Sequence, residues 1–510
     1  MRSSLAAFVA GALAVWCSAA TVRAQTTKLP AFTIDELKQL STEAEPGGAL
    51  ATKLNRLLHT VETGSYVGKR DRPARPVQQG VPILRAAMWN IERGQEYDSI
   101  LTALTDADEF AKLCAKRGLK RQRLELIREE ARVLEDADLL ILNEVDGGMK
   151  RSGYRDVARE LAQALHMNYA YAVEFVEVDP VTLGIEVIPE TALEDELRAD
   201  PARYKGLHGT AILARYPIQN ARVLRLPVCH DWYANERKPV PKIEKLKRLG
   251  SEKVFLEAIA QERRRGGRIA LIAELAVPEA PGGTVRVVNA HLENKCKARC
   301  RVEQMNAVLE DVRGTNGPLI LAGDLNTTGA DGSILSVGYI LKTKMRDPRF
   351  WAGQALSYFN PLNLYGMGTA ARYVHGYGDP TRRDLPVIAN NREFGLFDTV
   401  RKDRFSDGAS FDFSGEKQYT VNGRAGTLAN SNERAAKGFT YTFALPRDFK
   451  GAIGRYRLDW FFIKPPAGEE TRLLRPQFAR TMQALNQGLE PRLSDHAPIT
   501  VDLPLAGVEK

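Results

Sequence analysis

Five cysteines and seven histidines in 510 residues are few. So sparse a cysteine set excludes a disulfide-dense scaffold, and a chain of this length buries a full core without a metal or disulfide staple. Beyond the first few dozen residues no apolar run is long enough to span a bilayer, and no internal repeat signals a solenoid or propeller. Aromatic residues make up only 8%, with no aromatic hairpin of the kind that dips into a membrane.

What is present is ordinary for a globular protein: 44% hydrophobic and 26% charged residues, with a net charge of +9. The N-terminus is the exception. Arg2, an apolar stretch from Leu5 to Ala20 and the small-residue pattern Val22-Arg23-Ala24 read as a signal peptide over 1–24, with Gln25 the expected mature start and a periplasmic or secreted destination. Gly11, Cys17 and Ser18 interrupt the run and argue against a membrane anchor, while Trp16 occupies the place where lipidation of Cys17 would want a small residue. Removing the segment takes away two arginines and no acid, so the mature chain carries +7, an excess that favours polyanionic partners such as nucleic acid. Cys114, Cys229, Cys296 and Cys300 remain, with three pairings open. Cys296 and Cys300 fall four apart on one face of an expected helix, a poor geometry for a bridge.

Along the chain, residues 25–80 read as a helical extension, with Thr33 or Asp35 as caps and a break at Pro46-Gly47-Gly48, followed by a basic, proline-containing linker. From 81 to 510, short apolar runs alternate with helical patterns, the signature of a layered α/β domain. Strands are expected at 83–89, 139–145, 210–214, 269–275, 285–289, 319–322, 458–463 and 499–503. Two stretches look like insertions, a charged helical region near 229–265 and another near 328–390. The four arginines of 262–268 read more readily as a solvated helix end than as a phosphate-facing patch.

Polar residues that end apolar runs carry the chemistry. Asn90, Glu144 and Asp324 close three such runs and Asp459 lies in a fourth, at strand ends where α/β folds place their sites. Carboxylates with few soft ligands beside them suit magnesium or manganese better than zinc. His208, His291 and His496 lie beside strand-like runs and are candidate proton donors or phosphate contacts. Adjacent Asp495 and His496 can divide tasks, one facing a metal and the other a phosphate, with Asp459 holding the imidazole.

The ordered segments MWNIERG (Met88 to Gly94), LLILNEVD (Leu139 to Asp146), HGTAILARYPI (His208 to Ile218), VVNAHLE (Val287 to Glu293), LILAGDLN (Leu319 to Asn326), RLDWFFI (Arg457 to Ile463) and SDHAPI (Ser494 to Ile499) resemble the endonuclease/exonuclease/phosphatase superfamily. The resemblance covers about 83 to 503. It implies a four-layered α/β/β/α sandwich of two mixed sheets with outer helices, and a magnesium- or manganese-dependent phosphoesterase. It further implies Asn90, Glu144 and Asp495 as metal residues, Asp324 and Asn326 as the pair that activates water, and His291 as phosphate-binding with Asn289 beside it. His496, supported by Asp459, is implied to stabilise or protonate the phosphate. Asn143 stands where the family usually has glutamine, and the path from 327 to 456 is longer than usual. The expected activity is hydrolysis of a phosphodiester, nucleic acid first among substrates. A phosphomonoesterase, a sphingomyelinase-like lipid phosphodiesterase and an inactive binding protein of the same fold are the alternatives.

Overall fold

The computed structural model describes residues 27–66, 77–78, 81–178, 200–236, 263–327, 394–412, 441–444, 455–466, 477–486, 489 and 491–505. The expected signal segment and 328–390 insertion, most of the expected linker and the middle of the expected 229–265 insertion lie outside them.

Helices Ile34–Thr42 and Gly48–His59 lead into β1 (Val61–Ser65). The first is closed by a capping box in which Thr33 and Glu36 satisfy each other's backbone N–H groups. A short β2 (Val77–Gln78) precedes the long β3 (Val81–Arg93), three helices between Tyr97 and Glu135, β4 (Leu139–Gly147), helix Val157–Ala164, β5 (Asn168–Glu177), β6 (Leu207–Ala214) and β7 (Ile218–Arg225). After the short helix Trp232–Glu236 come β8 (Arg264–Gly266), β9 (Ile269–Ala276), β10 (Thr284–Ala290), helix Ala298–Val312, β11 (Leu319–Asp324) and helix Phe394–Lys402. The last strands are β12 (Phe443–Ala444), β13 (Arg455–Tyr456), β14 (Asp459–Lys464), β15 (Gln477–Thr481) and β16 (Ile499–Pro504).

The strands form two mixed sheets. One is ordered β1-β5-β6-β4-β3-β16-β15, with β2 on β3 and β8 on β5; the other is β14-β11-β10-β9-β7. β3 and β4 run parallel, as do β10 and β11, and the remaining pairs in these sheets are antiparallel. Strand alternation sorts the apolar residues into three cores. Met88, Ile141, Ile212, Leu271, Val287, Ile320 and Ile463 fill the space between the sheets. Trp89, Leu140 and Leu142 face Phe110, Ile127 and Leu134 of the helices on one side. Val288, Leu321, Trp460 and Phe462 face Val308, Leu309 and Phe397 on the other. Strands buried on both faces must be apolar at nearly every position, which is why LLIL and LILA read as continuous runs. The result is the α/β/β/α sandwich.

One reading changes. Arg264 and Arg268 do not end a solvated helix: they are buried at β8 and at the entry to β9, where each meets a buried glutamate, Glu177 at 3.2 Å and Glu174 at 2.8 Å. Of the three pairings left open, the structure shows Cys229–Cys300; Cys296 is not bridged to Cys300, though it precedes the helix rather than lying in it, and it keeps its thiol, as does buried Cys114.

Candidate active site

β3 and β4 both leave regular pairing at the site. Register shifts fall between Asn90 and Arg93 and between Leu142 and Val145, and Glu92, Arg93 and Glu144 take left-handed backbone at φ 46°, 67° and 50°. Such backbone is costly for residues with a Cβ, and a bulge of this kind re-aims a side chain. Glu144 is thereby turned to the sheet's rim, its side chain 24% exposed between buried neighbours.

Asp324 arrives from the other sheet. Gly323 precedes it at φ 152°, and a Cβ there would stand 1.8 Å from the carbonyl oxygen of Ala290, so only glycine lets β11 pass β10 this closely. Buried Asn143 joins the sheets: its Oδ1 accepts from the Asp324 N–H at 2.7 Å, and its amide donates to Thr210 Oγ1 and to Asn289 Oδ1. Asn90 Nδ2 stands 3.2 Å from both Glu144 Oε1 and Asp324 Oδ2, tying one carboxylate from each sheet to one amide. Asn326, at φ 47°, donates its backbone N–H to Asp324 Oδ1 and its side-chain amide to the Leu292 carbonyl.

Asp459 pairs with Asp324 across β14 and β11. Its Oδ2 lies 2.7 Å from His496 Nδ1, leaving Nε2 at 3.8 Å from Asp324 Oδ2 and 3.9 Å from Asp495 Oδ1. The His496 main chain is fixed by Trp89 Nε1 and Asn486 Nδ2, which donate to its carbonyl, and by Ser494 Oγ, which accepts its N–H. Burial alone would pull the imidazole's pKa down, but Asp459, Asp495 and Asp324 outweigh it and hold the ring protonated well above its usual range. Burial pushes the Asp324 carboxyl up to about 6, with Asp459 adding to the rise and both nearby histidines opposing it.

His291 reaches Asp324 Oδ2 from the opposite side, Nε2 at 3.8 Å. Behind it stand two residues that no motif announced, Glu174 Oε1 at 3.0 Å from Nδ1 and Arg268 Nη1 at 2.8 Å. Burial would raise the Glu174 pKa, yet His291 and Arg268 outweigh it and bring it to about 2. The alternation in NYAYAVEFVE was the available signal for β5 and a charged residue inside it. His208 is not part of this cluster: it bonds Asp146, which is itself clamped by Arg151. Asn289 is brought near but its amide is spent, donating to the Leu142 and Ala211 carbonyls and to Thr210 Oγ1 while its oxygen accepts from Asn143.

The donor set suits a hard cation. Glu144 and Asp495 crowd together with Glu92, whose Oε2 accepts the Asp495 N–H at 2.8 Å. Burial, then the charge of Asp495, pushes Glu92 up to about 8; burial likewise raises Asp495, with Glu144 adding to it. Burial would raise Glu144 too, but Arg93 and the nearby histidines outweigh it and hold its carboxyl well below the usual range, so an ionised donor stands beside two whose charge is disfavoured, a set that a divalent ion relieves. Ligand atoms of Asp324, Asp459 and His496 also fall within 4.8 Å of one another. That trio is already joined by the Asp459–His496 hydrogen bond, an arrangement fitted to holding a proton, which leaves Glu144, Asn90 and Asp495 as residues that could hold a cation.

A family model described as the Endonuclease/Exonuclease/phosphatase family matches residues 89–385, more than half of the chain. Solved structures that match include an endonuclease/exonuclease/phosphatase from Beutenbergia cavernae, 16% identical over 83% of this chain and 72% of that one, with a TM-score of 0.35. The human Nocturnin catalytic domain is 14% identical over 83% and 93%, TM-score 0.35. A 3'-5' exonuclease from Neisseria meningitidis is 15% identical over 82% and 99%, TM-score 0.37. No curated protein matches the chain.

Proposed function

This chain belongs to the endonuclease/exonuclease/phosphatase family, and from that premise we propose that it is an exported, magnesium- or manganese-dependent phosphodiesterase, with nucleic acid the first substrate class to test. One observation carries the reading. Asp324 Oδ2 lies 3.2 Å from the amide that also holds Glu144, and 3.8 Å from the Nε2 of both His291 and His496. A carboxylate so placed, between two imidazoles and next to an acidic rim, suits water activation against a bound phosphate.

Asp324, with its pKa near 6, is a stronger base than an ordinary carboxylate and takes the proton of the attacking water. Asn326, anchored on Asp324 and Leu292, orients the water and the phosphate. His496, kept cationic by Asp459, offers its Nε2 proton to the phosphate as charge develops or to the leaving oxygen. His291, its Nδ1 side occupied by Glu174, presents Nε2 to a second phosphate oxygen. A divalent cation held by Glu144, with Asn90 and Asp495 beside it, would supply neutralisation of the phosphate charge when bound.

Export is supported by the signal-like segment 1–24 and by the Cys229–Cys300 disulfide, which suits an oxidising compartment. No helix among the described residues is long and apolar enough to cross a membrane. The test is a panel of plasmid DNA, RNA, sphingomyelin, inositol phosphates and a generic diester. Asp324→Ala is expected to lower turnover of whichever substrate is cleaved by about a hundredfold to ten-thousandfold. Wild-type rates in that variant, or full turnover in excess chelator, would sink the reading.

A further inference from the structure

The Cys229–Cys300 disulfide closes a span of 71 residues, and contacts run from it into the site without a break. Cys300 sits in the first turn of helix Ala298–Val312. Gln304 of that helix accepts the Glu293 N–H and donates to the Pro227 carbonyl, both at 2.9 Å, stitching the helix to the segment that carries Cys229. Three residues past Cys229, Trp232 donates its indole N–H to Glu293 Oε2 at 3.0 Å, and that oxygen lies 3.7 Å from Arg268 Nε. Arg268 Nη1 in turn lies 2.8 and 2.9 Å from the two ring nitrogens of His291 and 2.8 Å from Glu174 Oε2.

The last contact fixes the ring. A nitrogen equally far from both imidazole nitrogens cannot lie in the ring plane, where Cε1 would block it, so the guanidinium covers the ring face. In the plane, Nδ1 is left to Glu174 Oε1 and Nε2 points toward Asp324. Trp232 is itself wedged, its ring edge-on to Phe175 at 5.9 Å with Lys295 Nζ 4.1 Å above it. Trp232 and Glu293 are both buried, and a hydrogen bond to a charge out of water is strong when made and costly when lost.

We propose that Trp232 and Glu293 are positioning residues for His291, acting through Arg268, and that the Cys229–Cys300 disulfide holds them there, so that reducing this one bond lowers the activity of the site. The inference rests on the reading of His291 as a phosphate-binding group. The step is a thiol–disulfide exchange: a dithiol reductant breaks the Cys229–Cys300 bond, leaves two thiols and is itself oxidised to its cyclic disulfide. Freed from Cys300, the segment bearing Trp232 is held less tightly, Glu293 Oε2 loses the indole donor, and Arg268, still held at Nη1 by Glu174, loses the fixed partner beside its Nε.

The experiment uses the full chain in a Cys296→Ser background, which removes the nearby third thiol. Hydrolysis of bis(p-nitrophenyl) phosphate is measured before and after dithiothreitol, with thiols counted, and the ring signals of His291 are followed by NMR on protein carrying labelled histidine. Reduction is expected to lower kcat by about tenfold with KM changed less than about twofold, and to shift the His291 signals. Trp232→Phe, which keeps the ring and removes the donor, should reproduce the fall while oxidised and show no further fall on reduction; Glu293→Gln, which keeps an acceptor, should retain most of the rate. Unchanged kcat and His291 signals with two new thiols counted would overturn the proposal, as would wild-type behaviour of Trp232→Phe. A protein that cleaves the diester regardless of redox state defeats this inference alone. One that cleaves nothing, yet whose His291 signals move on reduction, defeats the phosphodiesterase reading and with it the effect on activity, while the link from the disulfide to the His291 ring stands.

Discussion

At the scale of single residues, the pair Asp459 and His496 acts as one device. Asp459 Oδ1 is buried with no hydrogen-bond partner among the described residues, so among them the carboxylate's one side-chain hydrogen bond is with the imidazole it keeps charged. Groups that act as a unit are not additive. Asp459→Asn and His496→Ala are each expected to lower kcat about a hundredfold or more, and the double variant to be no slower than His496→Ala alone; additive losses in a double-mutant cycle would separate their roles. The pH profile gives a second reading. His496 owes its raised pKa to its carboxylate neighbours, so removing the Asp459 charge lets burial pull the pKa down and the cation is lost earlier as pH rises. The alkaline limb of kcat in Asp459→Asn should therefore move to lower pH.

At the scale of elements, β14 ends in a fully buried Lys464, whose ammonium donates to Asp407 Oδ2 at 2.7 Å and to the Gly317 carbonyl at 3.1 Å. Burial works against the ionised Asp407, but the Lys464 hydrogen bond outweighs it and lowers the carboxyl's pKa below its usual value. A folded pKa below the unfolded one means stability that is complete above the unfolded value, near 3.8, and lost as pH falls through the folded one. Urea denaturation should show Asp407→Asn less stable than wild type by about 3 kcal/mol at neutral pH, because a buried cation loses its partner, with the gap closing in acid. Equal stability at neutral pH would show the pair to be incidental.

The elements legible in the sequence were those whose apolar runs are buried on both faces. β4, β9, β10, β11, β14 and β16 fall where LLIL, IALIAEL, VRVVN, LILA, DWFFI and ITVDL read as strands. β7 was not legible, because IQNARVLR is half solvated at the sheet's edge and its polar side masks the pattern. Glu174 was hidden for the opposite reason: inside the wholly buried β5, a lone charge looks like an error until His291 and Arg268 are brought to it from another sheet. The disulfide was equally out of reach, since its partners meet only when the ends of β7 and β10 have been set side by side through β9.

At the scale of the whole molecule, charge rather than shape offers the handle on substrate. With a net charge of +9 over the whole chain and +7 without residues 1–24, a polyanionic substrate displaces counterions as it binds, and a small diester does not. Between roughly 50 and 200 mM salt, KM for plasmid DNA should rise at least about tenfold while KM for the small diester changes less than about twofold. Parallel salt dependence for the two would remove the basic balance as a reason to favour nucleic acid.

The order of strands in the larger sheet carries a consequence for how this molecule is made. β16, the last strand among the described residues, lies between β3 and β15, hydrogen-bonded to a partner more than four hundred residues earlier. Until β16 pairs with it, β3 presents an open edge on that side, and β15 joins the sheet only through β16. Contacts of such sequence separation are entropically slow to close, and an unpaired edge invites association in the meantime. A fragment lacking residues 494–505 has neither the strand that links β3 to β15 nor His496 to place beside Asp324.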